Sequence, residues 1–447
     1  MTIINTLSIV DSSVNSAVNK AQVHKFGGTS LANASRFKAV VDLVLKQSSQ
    51  QPSWLVVSAP ADTTDDLLTI IGLHNQADCL TEIFNLQQKL TRLIIGCLPT
   101  ERAKLVIAQV KVWLQQIPTL LNSQQSNDVL AIGENVSALL LSQLLQHKAI
   151  ATVAIDSRDF LYFDQQQLAY KSSKQHLQRL IKPKSIHVVT GYIAKDLAGN
   201  TLTLGRNGSD YSATLLASLI AADSVTIWTD VPAIYSADPR QVSDAKPYSQ
   251  VNWQQAALLA ELGNPVLHPR TLYPLMQTEA SLIVRSSFAS EELGSAVVKH
   301  ANAQSFITTL EKMQLISIPL TMALKVATIA QQLQLSLIKF GQTIESQSWL
   351  VPALAIKTLL RYLAENNISA VVDSYIYSAV AWLKPSANCR SVSAENYLSQ
   401  YPVLHRAETA ERIIWLLPKT LPYTALNQLH QIVIPAQTAF NQQQQSG

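Results

Sequence analysis

"VHKFGGTS", residues 23–30, ends an apolar stretch with a lysine and two glycines. A strand turning into a helix here leaves backbone N–H groups that an anion can approach without a Cβ in the way. Thr29 and Ser30 are cap residues, and a helix N-terminus favours negative charge. Lys25 adds a point charge. Two readings stand at this point, a phosphate cradle and an ordinary tight turn. The stretch matches neither G-x-x-x-x-G-K-[ST] nor G-x-G-x-x-G.

Outward from this stretch, strand and helix patterns alternate to about residue 290. "ANASRFKAVVDLVLKQ" places Phe37, Val40, Val41, Val44 and Leu45 at helical spacing, and "WLVVSA" (54–59) reads as a buried strand. A helical stretch over roughly 76–147 is broken at Pro99 and Pro118. "IATVAI" (150–155), "IHVVTGY" (186–192), "SVTIW" (224–228) and "SLIVR" (281–285) are further strands. This alternation predicts an α/β unit with a mainly parallel central sheet flanked by helices. After about residue 305, short strands with two helices per unit predict compact α+β modules. The boundary is set in "EELGSAVVKHANAQ" (291–304).

The chain has 447 residues, too many for one ordinary core. Only 14% are charged, against the usual roughly 25%. The net charge is +4, and no run of five or more basic residues forms a nucleic-acid stripe. Cys79, Cys97 and Cys389 have neither disulfide-framework nor metal-ligand spacing, so all three are read as reduced. No signal peptide and no uninterrupted apolar run of membrane-spanning length is visible, which predicts a cytoplasmic protein without membrane contact. Residues 1–21 read as a flexible arm and 441–447 as a disordered Gln-rich tail.

Four more segments can carry chemistry. In "LGRNGSDYSATLLASL" (204–219), Gly205 and Gly208 flank Arg206, the residue type suited to bidentate carboxylate recognition. Ser209 or Asp210 serves equally as an N-cap of the helix that follows. "WTDVPAIYSADPRQV" (228–242) is either a turn-rich connection or a nucleotide loop, with Tyr235 offering a flat face and Arg240 a phosphate contact. "IGENVSALLL" (132–141) sets Glu134 at a helix start, as a first-turn acid or an ammonium partner. "VVSAPADTTDDLL" (56–68) places Ser58, Thr63 and Thr64 after a strand, where open α/β sheets bind ligands. His268 reads as structural.

In this order "KFGGTS", "VVSA…TT", "GENVSA", "VTGYIA", "TLGRNGSDYSA", "TDVPAIYSADPR" and "VLHPRT" resemble the aspartokinases of the amino acid kinase family. Within that family the chain resembles the aspartokinase part of the methionine-branch aspartokinase–homoserine dehydrogenases. The resemblance covers residues 22–290 and implies the amino acid kinase fold, with a catalytic domain over 22–300 and tandem ACT-like regulatory or dimerisation modules over 301–440.

The implied reaction transfers the γ-phosphoryl group of ATP, with Mg²⁺, to the β-carboxylate of L-aspartate. Its product, 4-phospho-L-aspartate, opens lysine, methionine and threonine biosynthesis. The implied roles put Lys25, Gly27 and Gly28 at the phosphates and Ser58, Thr64, Glu134, Tyr192, Arg206, Ser209 and Asp210 around aspartate. Asp210 orients either Lys25 or the substrate; Thr229, Asp230, Tyr235 and Arg240 hold ATP; the metal rides on the ATP phosphates.

A homodimer or larger assembly follows from ACT pairing, and a homoserine dehydrogenase domain is either fused beyond the chain or missing. Two departures bear on affinity: Pro265 stands where most aspartokinases carry a lysine, and Asp65 replaces the usual asparagine after Thr64. Alternatives are another small-molecule kinase of the same fold and a catalytically weak regulatory subunit.

Overall fold

The computed structural model describes residues 21–47, 53–264, 266–333, 335–386, 389 and 391–434. Pro265, residues 1–20 of the expected arm and the expected tail lie outside the described residues.

Eight strands form the first sheet, in the order Gln250–Asn252, Ser295–Val298, Ser281–Ser286, Ser224–Thr229, Gln22–Phe26, Ser53–Val57, Ile186–Thr190, Thr152–Ile155. Every adjacent pair is parallel except Ser281–Ser286 with Ser295–Val298. The inner strands Ser53–Val57 and Ile186–Thr190 are buried along their whole length, as a sheet covered on both faces requires. Phe26 and Trp228 stack at 6.1 Å within the core, and Trp228 Nε1 donates to His24 Nδ1. Burying each such side chain contributes about 1.5–3 kcal/mol.

Helices Gln76–Cys97, Thr100–Asn122 and Ser126–His147 pack on one face. The break expected at Pro99 is present, but the one expected at Pro118 is not. The helix runs through Pro118 to Asn122, with Leu114 and Ile117 buried against its neighbours, and the chain turns at Gln124, where φ is 57°. Packing outweighs one lost N–H bond close to the helix end. Ser126–His147 is long and apolar enough to cross a membrane by length and composition, yet most of it is buried inside the protein. A helix apolar on all sides is a core helix here.

The stretch 291–304, read as a boundary, contains the strand Ser295–Val298 of the first sheet. Ser295 is buried and its Oγ donates to Tyr248 O, so this segment is built into the sheet, between Gln250–Asn252 and Ser281–Ser286.

The second sheet is antiparallel throughout. Its main order is Ile338–Gln342, Ser346–Pro352, Phe306–Pro319, Tyr377–Leu383, Arg412–Leu417, His405–Glu408. Helices Ala323–Gln332 and Ile356–Glu365 cover one part; Val392–Leu398 and Tyr423–Val433 cover the other. Two α+β units thus share one sheet, as the helix count in the sequence suggests.

Candidate active site

Strands Gln22–Phe26, Ser53–Val57 and Ser224–Thr229 run side by side in one direction, with Lys25 opposite Val56 and Ile227. Ligands of open α/β sheets bind beyond such carboxyl ends. A cleft of about 390 Å³ opens there, lined among others by Lys25, Gly27, Gly28, Asp62, Asp210 and Thr229.

Lys25 Nζ lies 2.6 Å from Asp210 Oδ1, and the two side chains are 11% and 14% exposed. The glycines serve close approach. A Cβ on Gly27 would stand 3.1 Å from Lys25 Nζ, and one on Gly28 would stand 3.3 Å from Ala59 O. Ser30 Oγ shares a 2.8 Å hydrogen bond with Ser287 Oγ, which fixes the turn that follows.

The opposite lip is the start of helix Gly208–Ile220. Its N-cap is Asn207, at φ 56°, so neither Ser209 nor Asp210 caps it; both lie in the first turn. The left-handed geometry at Gly205 (φ 72°) and Asn207 swings the chain so that Asp210 faces the lysine. A carboxylate in the first turn also suits the helix dipole. Ser209 is buried against Gly191, where a Cβ would come within 2.6 Å of Ser209 Cβ.

Arg206 is exposed and makes no ion pair or side-chain hydrogen bond among the described residues. Burial, then the charges of Arg270 and Arg206, lower the basicity of His268, while Asp210 raises it. Arg206, His268 and Asp210 therefore share one neighbourhood, and Asp210 in turn touches Lys25. His268 caps helix Pro269–Met276 through Arg270 N–H, as its structural reading requires.

Glu134 corrects its expected place. The helix begins at Ser126, so Glu134 lies in the third turn and not at the start. It is 2% exposed, and Oε1 accepts the Ala59 N–H at 3.2 Å, while Oε2 has no partner. Burial pushes its carboxyl up to about 8, against the weaker pull of the backbone hydrogen bonds. Burial raises the Tyr192 hydroxyl too; its bond to Thr203 opposes this and the Glu134 charge adds to it. Tyr192 has φ 67°, and its N–H donates to Ser212 Oγ.

Ser58 N–H donates to Phe26 O, and Thr64 and Asp65 occupy the first turn of helix Thr63–Gly72. Thr64 is half-buried and Asp65 exposed. Among the residues expected at ATP, Thr229 Oγ1 donates to Asp230 Oδ1. Tyr235 is half-buried in a short ribbon with Pro247–Tyr248. Arg240 is exposed and already forked onto Asp238, with its nearest contact at 2.9 Å. Tyr235 and Arg240 lie outside the lining of the 390 Å³ cleft.

Two participants, Asp62 and Arg270, escaped the sequence reading. Asp62 adopts φ 60° at the cleft and does not cap the helix it precedes. Arg270 donates to Leu204 O and lies over the Tyr211 ring, bracing the Gly205–Arg206 loop. The Thr63 hydroxyl is buried without a partner. The doublet Asn207-Gly208 was the one legible signal, since Asn tolerates left-handed geometry. Among the described residues no three His, Cys, Asp or Glu side chains gather as a metal site. A larger cleft, about 540 Å³, lies at Asp128, Asp156 and Arg158, whose charges pair with one another.

A profile described as the amino acid kinase family matches residues 20–286. The bifunctional aspartokinase/homoserine dehydrogenase 2 of Escherichia coli K12 is 38% identical over 284 residues, covering 61% of this chain and 35% of that protein. The aspartokinase of Chlamydia pneumoniae is 30% identical, covering 62% of each. The chain thus matches about a third of the bifunctional relative's length and under two thirds of the aspartokinase's. A crystal structure of E. coli aspartokinase III with aspartate and ADP aligns at a TM-score of 0.74 and 22% identity, covering 93% of this chain and 99% of that one. That likeness establishes the fold: a parallel central sheet flanked by helices, followed by an antiparallel-sheet region. With its profile match spanning more than half of its length, the chain belongs to the amino acid kinase family.

Proposed function

We propose that the chain is an aspartate kinase, joining the γ-phosphoryl group of ATP to the β-carboxylate of L-aspartate. One observation carries the reading. The ion-paired Lys25 and Asp210 line the cleft at the sheet's carboxyl ends; the unpaired Arg206 shares the surroundings of His268 with Asp210, and the buried Glu134, with its unpartnered oxygen, accepts the N–H of Ala59, whose carbonyl stands beside Gly28. This charge pattern fits an amino acid with a carboxylate at either end. The similarity to aspartokinases, alone or fused to homoserine dehydrogenase, supports it.

The substrate carboxylate needs no base, because its ordinary pKa of about 3.9 leaves it ionised near neutrality. ATP would supply the phosphoryl group: its bond to the bridging oxygen breaks, leaving ADP with the electron pair, as an aspartate oxygen bonds to phosphorus. Lys25, held by Asp210, neutralises the charge between the two anions, and the bare amides of Gly27 and Gly28 approach the phosphates. Arg206 grips the α-carboxylate in its fork. Glu134 accepts the substrate ammonium and sheds its own proton as it does so. Ser58, Thr64, Tyr192 and Ser209 complete the substrate wall.

Thr229, Asp230, Tyr235 and Arg240 take the nucleotide. Mg²⁺ enters on its phosphates, and the carboxylates of Asp62 and Asp210 face the same cleft. Residues 22–300 form the catalytic domain and 301–440 tandem ACT-like modules through which two copies pair. The reaction starts the lysine, methionine and threonine branches. A cytoplasmic setting suits the ATP demand and the free thiols Cys79, Cys97 and Cys389.

Hydroxylamine traps the acyl phosphate as a hydroxamate. Purified chain with Mg²⁺, ATP and aspartate is expected to form it, with N-acetylglutamate and carbamate inert. Hydroxamate or ADP formation with one of those and not with aspartate overturns the assignment.

A further inference from the structure

The segment just beyond Tyr235 is held from a distance. Ser236 is fully buried; its Oγ accepts the Lys246 N–H and shares a 2.8 Å hydrogen bond with His430 Nε2. His430 is itself buried, on the last described helix, Tyr423–Val433. Two more side chains of that helix reach the same segment. Asn427 Oδ1 accepts from the backbone N–H and hydroxyl of Ser243, and Gln431 Nε2 donates to Asp244 Oδ2. Through three side chains the helix thus bonds to Ser236, Gln241, Ser243 and Asp244, in the stretch that carries Arg240 and continues from Tyr235; Asn427 Nδ2 supplies the bond to Gln241 O.

We propose that His430 is a positioning residue for nucleotide, and that this C-terminal helix sets ATP affinity without touching ATP. The inference rests on the nucleotide role assigned above to Tyr235 and Arg240. Residues 230–246 hold little regular structure beyond the ribbon at Ile234–Tyr235, so ordering them on binding costs conformational entropy. Bonds that order the loop beforehand remove that cost from the binding step. All of these bonds fall on the segment assigned to the nucleotide and none on Glu134 or Arg206. Their loss therefore bears on ATP and not on aspartate.

The test uses the full chain and two substitutions that separate reach from bulk. An asparagine amide ends where Nδ1 stands and misses Ser236, whereas a glutamine amide reaches the position of Nε2. His430→Asn is expected to weaken Mg-ADP binding, read by titration calorimetry, and to raise the ATP KM, each about tenfold. The aspartate KM is expected to stay within about twofold. His430→Gln is expected to recover most of the loss. Ser236→Ala is expected to match His430→Asn, and the double variant to be no worse than either, because the residues act as one unit.

If His430→Asn does not fold, Ser236→Ala carries the test. Nucleotide affinity unchanged in a folded variant, or equal loss toward ATP and aspartate, overturns the proposal. Failure of the two readings is distinguishable. A chain that binds Mg-ADP in a His430-dependent way but phosphorylates another acceptor sinks aspartate as substrate and keeps this inference. An aspartate kinase indifferent to His430 does the reverse. A chain that binds no nucleotide overturns both.

Discussion

Lys25 Nζ and Asp210 Oδ1 stand 2.6 Å apart, yet Oδ1 has no partner in hydrogen-bond alignment. The contact is an ion pair by distance alone. The lysine is held at the cleft while its N–H directions stay available for a second anion.

Lys25→Ala is therefore expected to lower kcat for hydroxamate formation by roughly 10²–10³-fold, the scale of a lost transition-state charge contact. The aspartate KM is expected to stay within about threefold. Asp210→Asn keeps the shape and releases the lysine, and an intermediate loss is expected. An undiminished rate in Lys25→Ala removes the lysine from the mechanism.

Arg206 has the opposite profile. With no ionic partner among the described residues, it has nothing to lose to the fold on substitution. Arg206→Ala is expected to raise the aspartate KM by about 10- to 100-fold and to leave the melting temperature unchanged. Arg206→Lys should recover only part, since an ammonium lacks the fork. Initial rates over an aspartate series check both.

The role proposed for Glu134 ties aspartate binding to pH. Burial pushes the carboxyl up to about 8 in the folded protein, whereas the unfolded chain releases the proton near the ordinary carboxylate value of 4.5. Between these values the unfolded state binds fewer protons, so this group's contribution to stability is full below 4.5 and is lost as pH rises through 8. Glu134→Gln has no such proton, and its melting temperature relative to the parent should climb between pH 5 and pH 8. Aspartate binding at pH 7 should release close to one proton, read calorimetrically in buffers of different ionisation heat, and none in Glu134→Gln.

Gly133 supports that carboxylate from behind. A Cβ there would stand 2.7 Å from the Ala59 Cβ, and Ala59 donates the N–H that Glu134 accepts. Gly133→Ala is expected to cost about 1–3 kcal/mol by overpacking and to raise the aspartate KM. Gly72→Ala, with open space around it, is the matched control and should leave both unchanged. Thermal melts alongside kinetics decide between them.

Legibility in the sequence followed the range of the forces involved. The parallel sheet was readable because its strands carry local apolar runs, and Lys25-x-Gly-Gly because turn chemistry is local. The depth of Glu134 was not, since it depends on where a helix begins, and Ser126 carries no strong start signal among the polar residues before it. Pro118 and Ser295–Val298 misled for a related reason: burial by distant neighbours overrode the local breaker and the polar surroundings. Asp62 and the His430–Ser236 bond are contacts in space, without any spacing pattern to mark them.

The strand order has a consequence for synthesis. Gln22–Phe26 pairs on one side with Ser53–Val57, which emerges soon after it, and on the other with Ser224–Thr229, which follows about 200 residues later. At roughly 5–20 residues per second, a ribosome needs about 10–40 s to bridge that gap. Throughout that interval the nascent chain carries Lys25 on a strand with one unpaired edge, a species that a holding chaperone can engage before the cleft wall formed by Ile227, Trp228 and Thr229 exists.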